Sequence, residues 1–329
     1  MVRFNYIITI HNKQDLIGHV IKAVIDCCGK DSHIYPVIDG CTDGTEAIID
    51  AIINDGPPVP VTKVYTPDVH ELLSINAGLR AADQDGHGYN IVLQDDVVFA
   101  DPQLEDKVVS LYEWAGAELG YLSFRLGANL TEDAAISAES VPLTDYIENA
   151  YGHALPGSGM LLPGNLAYRD VPIKSPVCFP FKLIQKVGIL DERLAPYGHD
   201  DTDYAIRCID AGFRNAVFGV RFYSELKWGG TRTTPHPHIA AILNRNMRQI
   251  REWHGSSLAH ICHDREASQA VGVPGMRSER NEREAIEYRK RIMWGQRLRR
   301  LRNALSPTSV RRLPSSFIRT VNRVLRAES

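Results

Sequence analysis

The chain is short of several things at once. No apolar stretch in its 329 residues approaches the ~20 residues a bilayer crossing needs. The opening Met1-Val2-Arg3-Phe4-Asn5 leads into an apolar run, Tyr6–Ile10, of strand length. That run is too short for the core of a signal peptide, and no small-residue cleavage site follows, so a cytoplasmic location is expected. The six cysteines, at 27, 28, 41, 178, 208 and 262, include no C-x-x-C pair. Zinc-ribbon and disulfide-scaffold readings therefore fall away, leaving six small apolar residues. There is no internal repeat, and the formal net charge is only −3. What is present is ordinary for a globular protein: 44% hydrophobic and 23% charged residues, which excludes a disordered or collagen-like chain.

The first hundred residues alternate two periodicities. Strand-like runs at Tyr6–Ile10, Ile34–Ile38, Val61–Tyr65 and Asn90–Leu93 are separated by helical patterns over Asp15–Cys27, Glu46–Ile53 and Leu72–Ala82. Such alternation predicts an α/β fold with a mainly parallel sheet covered by helices on both faces. Ligands of these sheets bind beyond the carboxyl ends of the strands, so the turns at 11–13, 39–45 and 94–96 are expected to share one crevice. Residues 125–176 are rich in Gly, Pro and Ser and read as long loops over the sheet edge, a lid or acceptor-binding region. Regular structure is expected again at Phe181–Val187 and in a helix over Asp201–Ala211, closed by Gly212.

Three acidic clusters fall at expected strand ends or helix starts. Asp39, before Gly40-Cys41-Thr42-Asp43-Gly44-Thr45, is explained by turn chemistry as readily as by function. Asp95 and Asp96 follow the apolar Ile91-Val92-Leu93. Adjacent carboxylates repel, and a magnesium or manganese ion completed by phosphate oxygens would reconcile them. Asp200, Asp201 and Asp203 open a helix, where capping uses one acid or two. The surplus suggests a general base, since a carboxylate crowded by others holds a proton more readily.

In this order the motifs resemble the family 2 glycosyltransferases of the GT-A fold. They are the first strand with His11-Asn12, Val37–Thr45, Leu93-Gln94-Asp95-Asp96-Val97, Gly188–Glu192 and Asp200-Asp201-x-Asp203-Tyr204-x-x-Arg207, spread over residues 4–255. The resemblance implies a mixed GT-A sheet flanked by helices and inverting transfer from a nucleotide-diphosphate sugar of UDP or dTDP type. It casts Asp201 as catalytic base, with Asp200 in the position of the family's glutamate. Asp96 becomes the Mn2+ or Mg2+ ligand, Asp95 a ribose neighbour and Asp39 the base contact. His11, Asn12 and Asn76 become nucleotide-binding. His236, or its neighbour His238, would be a further metal ligand in the segment after Trp228. Three positions depart from the family pattern: Ile38 and Leu93 stand where acids are usual, and Ile75 replaces the arginine that often meets the phosphates. Arg80, His70 or a later basic group would then share that role.

From Arg277 onward the chain carries fourteen Arg and one Lys against five Glu, a net of +10, which leaves −13 on residues 1–276. Tyr288, Ile292, Leu298, Leu301 and Leu305 recur at helical spacing, and a second short helix is expected after Pro314. This divides the chain into a catalytic domain over 1–255, a linker over 256–276 and a basic amphipathic tail over 277–329. The tail either packs on the acidic body or lies against anionic lipid; the second reading is favoured, placing the protein peripherally on the inner face of the plasma membrane. No nucleic-acid-binding module is present. A glycan or lipid-linked acceptor is expected. The competing classes are a nucleotidyltransferase, against which the absent Gly-rich loop counts, and a non-catalytic glycan-binding protein, which would not need both Asp96 and Asp201.

Overall fold

The computed structural model describes residues 2–131, 143–173, 175–224, 238–263 and 269–304, with side chains left undescribed at 263 and 299–304. Its first half is β1 (Arg3–Ile10), α1 (Ile17–Ile25), β2 (Ser32–Asp39), α2 (Thr45–Asn54), β3 (Val64–Thr66), α3 (His70–Ala81) and β4 (Gly88–Gln94). β1 pairs in parallel with β2 and with β4, and β2 with β3. The helices fall on both faces because β1 is apolar on both. Tyr6, Ile8 and Ile10 join Val20, Ile21 and Ile49 of α1 and α2, whereas Ile7 joins Leu72, Ile75 and Leu79 of α3. Gly78 is required for that second contact. A Cβ there would collide with the Ile7 side chain and lie 3.0 Å from Val37, so α3 reaches the sheet only over a glycine.

Next come β5 (Val98–Phe99), α4 (Leu104–Ala115) and β6 (Leu119–Ser123). Residues 125–176, expected as loops, instead contain five short strands: β7 (Leu126–Leu130), β8 (Leu143–Asn149), β9 (Gly159–Leu161), β10 (Asn165–Tyr168) and β11 (Val171–Ile173). β11, β7, β8 and β9 form a four-stranded sheet of their own, while β10 joins the main sheet. Strands this short, punctuated by Gly and Pro, carry too few alternations to register as a period.

The remainder is β12 (Val177–Pro180), α5 (Phe181–Val187), α6 (Asp200–Asp210), β13 (Arg214–Phe218), β14 (Phe222–Tyr223), α7 (Ile239–His263), β15 (Val271–Gly272) and α8 (Glu279–Ala304). The nine-stranded main sheet runs β15-β10-β13-β6-β12-β4-β1-β2-β3. It is mixed, because β12 enters antiparallel between β4 and β6.

The expected linker is not one. α7 continues to His263, and Val271–Gly272 pairs with β10 at the sheet edge. Nor is the first part of the tail free of the body. Ala285 is fully buried, Tyr288 meets the rings of Tyr151 and Tyr223, and Arg289 forms a buried ion pair with Glu148 at 2.6 Å. No described helix is long and apolar enough to cross a membrane. The helix expected after Pro314 lies outside the described residues.

Candidate active site

Parallel pairing brings the ends of β1, β2 and β4 side by side, with Ile10 opposite Ile38 and Thr9 opposite Gln94. The turns that follow are tied together by hydrogen bonds. His11 N donates to Asp95 Oδ2 at 2.9 Å, and His11 Nδ1 lies 2.7 Å from the Asp39 carbonyl oxygen. Asn12 Oδ1 accepts from Thr42 N at 2.7 Å, bracing the loop after β2. Of the six described non-glycine residues with positive φ, four (Asn12, Asp68, His70 and His199) lie on the loops around this crevice. Backbone strain of this kind gathers where a site over-determines its loops.

Asp39 is almost wholly buried, and its carboxylate takes up the start of α3. Oδ1 accepts from Thr66 Oγ1 at 2.8 Å and Val69 N at 2.7 Å, and Oδ2 from His70 N at 3.0 Å. Expected as a base contact, it is engaged as a remote cap for a helix that has no local side-chain cap. Asn76, expected to contact the nucleotide, also has partners within the fold. It is buried, its Nδ2 donates to Leu190 O and Glu192 Oε1 at 2.9 and 3.0 Å, and its Oδ1 accepts from Leu190 N at 3.2 Å. A buried carboxamide committed to these partners staples α3 to the Gly188–Glu192 segment.

The two adjacent acids at the end of β4 differ in surroundings. Burial pushes the Asp95 carboxyl up to about 6, and Asp96 pushes the same way. Lys13 Nζ at 3.3 Å and the His11 N–H pull against them. Lys13 is itself buried, and nothing in residue type or spacing singles it out from the turn His11–Asp15. Asp96 Oδ1 is buried without a hydrogen-bond partner. An orphaned carboxylate oxygen beside a second carboxylate fits a hard divalent cation, which takes oxygen ligands and leaves positions for phosphate. A second group, His11, Asp39 and Asp68, brings one ligand-type atom each within 4.8 Å of the others. Because three donors already occupy the Asp39 carboxylate, this group is the poorer cation holder.

Later in the chain, Asp200 and Asp201 open α6 after Gly198 and the left-handed His199. Asp200 is buried, and its Oδ1 accepts from Gly198 N at 3.2 Å, which shapes the turn. Asp201 is half-buried, and its Oδ1 accepts from Thr202 N at 2.8 Å. Two phenols feel its charge. Tyr121 and Tyr146 are both raised, by burial first and then by Asp201, and the Tyr121 hydroxyl is buried without a partner. Asp203 serves structure instead: it pairs with Arg207 Nε at 2.8 Å and lies 2.8 Å from His254 Nε2, tying α6 to α7. His238 is described, whereas His236, the expected metal ligand, lies outside the described residues.

Residues 6–120 match the family model described as Glycosyl transferase family 2. Over these residues the chain is similar to the family 2 glycosyltransferases. No curated protein matches the chain in sequence. Among solved structures, S. aureus TarS 1-349 in complex with UDP-GlcNAc aligns with a TM-score of 0.53 at 13% identity, over 79% of this chain and 71% of that one. This likeness shows that the chain shares the GT-A architecture. S. aureus TarS aligns at 0.44 and 14% identity over 68% of this chain, which spans 37% of the TarS chain and 60% of the TarS 1-349 chain in complex with UDP. The mannosyltransferase PcManGT from Pyrobaculum calidifontis, in complex with GDP-Man and Mn2+, aligns at 0.44 and 14% identity over 79% of this chain and 73% of that one.

Proposed function

We propose that the chain transfers a sugar, with inversion, from a nucleotide-diphosphate sugar to a hydroxyl of a glycan or lipid-linked acceptor. The observation that carries this reading is the Asp95–Asp96 pair at the end of β4, with one Asp96 oxygen buried and unpartnered in a region similar to this family. The UDP-GlcNAc complex of TarS 1-349 supports a uridine donor. Asp96 would hold Mn2+ or Mg2+, which when bound offsets the charge of the diphosphate. Lys13 keeps the buried Asp95 oriented, and His11 N fixes its other oxygen.

Asp201 is the proposed base. The positive end of α6 and the Thr202 N–H hold it in place, and its carboxylate takes the proton of the acceptor hydroxyl. The acceptor oxygen bonds to the anomeric carbon as the carbon–diphosphate oxygen bond breaks, and that electron pair leaves on the diphosphate.

The test is nucleoside diphosphate release from a panel of nucleotide sugars with Mn2+. Asp201→Asn keeps a carbonyl oxygen for Thr202 N but cannot accept the proton, so turnover should fall by about 10²–10⁴ with the fold intact. Asp96→Ala should lose activity together with the Mn2+ dependence of nucleotide binding. Parent-like turnover in both variants removes the assigned roles.

A further inference from the structure

Arg125 stands at this site without having been visible in the sequence. It occupies the turn between β6 and β7, and its guanidinium is held on one side. Nε donates to Ser175 O at 2.5 Å, and the guanidinium carbon lies 5.3 Å from the centre of the Phe222 ring. Nη1 lies 3.2 Å from His153 Nε2, while Nη2 is buried with no partner. Ser175 also fixes where this group stands. Its hydroxyl accepts from Gln94 N at 3.0 Å, so one residue ties Arg125 to the strand end that carries Asp95 and Asp96.

The charges agree with the geometry. Burial pulls the guanidinium below its usual value, and Asp96 is the strongest acidic influence in the other direction. Asp96 has an unpartnered buried oxygen, and Arg125 has an unpartnered buried N–H. An ion pair between them would satisfy both, yet they do not close to contact. A buried donor and a buried acceptor each held short of the other are both left desolvated at a cost. A carboxylate and a guanidinium that influence each other without pairing suit a ligand that is itself dipolar. A diphosphate carrying a divalent cation is such a ligand, with the cation toward Asp96 and free phosphate oxygens toward Arg125.

We propose that Arg125 is the diphosphate-binding arginine of this glycosyltransferase, its Nη2 donating to the phosphate oxygens on the side away from Asp96. Ser175 and His153 are the positioning residues. Burial and the neighbouring Arg125 pull the His153 imidazole down, so it remains neutral and adds no competing charge. The proposal rests on the donor reading above and adds to it the group that receives the leaving diphosphate.

The experiment titrates the full-length parent, Arg125→Gln and Arg125→Lys by calorimetry with UDP and with GDP, each with Mn2+. Uridine and guanosine at millimolar concentration serve as controls. The parent should bind one diphosphate. Arg125→Gln should weaken that binding by about tenfold or more while leaving the matching nucleoside unchanged, because a charge-assisted hydrogen bond to phosphate is lost. Arg125→Lys should recover part of the loss. Unfolding temperatures without ligand identify a variant that does not fold, in which case the lysine variant carries the comparison. Unchanged diphosphate affinity overturns the proposal, as does an equal loss for nucleoside and diphosphate. A parent that binds neither diphosphate overturns the donor reading and the proposal with it.

Discussion

At the scale of single residues, polar side chains near this crevice divide by what their hydrogen bonds are already doing. Asp39, Asn76, Asp200 and Asp203 have partners within the fold, and all four are buried. Asp96 and Arg125 keep a buried polar atom without one. Sequence distinguishes residue types but not this difference, which is why Asn76 and Asp39 read as ligand contacts and Arg125 did not register. A prediction separates the two classes. Asn76→Ala should cost about 1–3 kcal/mol, since Leu190 would lose both a donor and an acceptor in a buried setting. Denaturant unfolding measures that loss. The nucleotide affinity of the folded variant should stay within twofold of the parent, and a large loss of affinity at full stability would return Asn76 to the binding site.

At the scale of elements, legibility tracked the range of the contacts. β1, α1, β2, α2, α3 and β4 were readable because each repeats its own period over several residues, and the parallel order then set the site at 11–13, 39–45 and 94–96. The strands of 125–176 were not, because β9 and β11 have three residues each and take their meaning from distant partners. α8 was readable as a helix but not as part of the body. Its anchor is Arg289 on Glu148, two residues 141 positions apart, buried at 8% and 3% side-chain exposure. Glu148 also accepts from Leu155 N at 2.8 Å, so the pair holds β8 and the loop after it as well as the helix. Arg289→Ala should therefore destabilise the whole protein by about 3–5 kcal/mol, because it leaves a buried carboxylate uncompensated. Thermal unfolding should show one earlier transition. A separate early loss of α8 with an unchanged main transition would mean that the helix is an appendage.

At the scale of the whole molecule, a formal charge of −3 conceals −13 on residues 1–276 and +10 beyond them. Docking of α8 accounts for some of that opposition, through Arg289 on Glu148. It leaves a second face uncovered. Trp294 is 61% exposed and Met293 43%, and Lys290 and Arg297 are exposed beside them. Large apolar side chains among cations on one face of a helix are the pattern of a segment lying in a lipid headgroup layer. We propose that this face holds the enzyme at an anionic membrane, where a lipid-linked acceptor would be met. The full-length chain should sediment with vesicles containing phosphatidylserine and not with phosphatidylcholine alone, and rising salt should release it. Because Lys290 and Arg297 are exposed, and Lys290 pairs with the exposed Glu287 of its own helix, reversing both to Glu should leave the unfolding temperature near that of the parent. The same double reversal should weaken vesicle binding by about tenfold or more, and Trp294→Ser should weaken it without changing the salt dependence. Sedimentation with neutral vesicles, or binding untouched by the double reversal, would show that the basic face serves something other than a lipid surface.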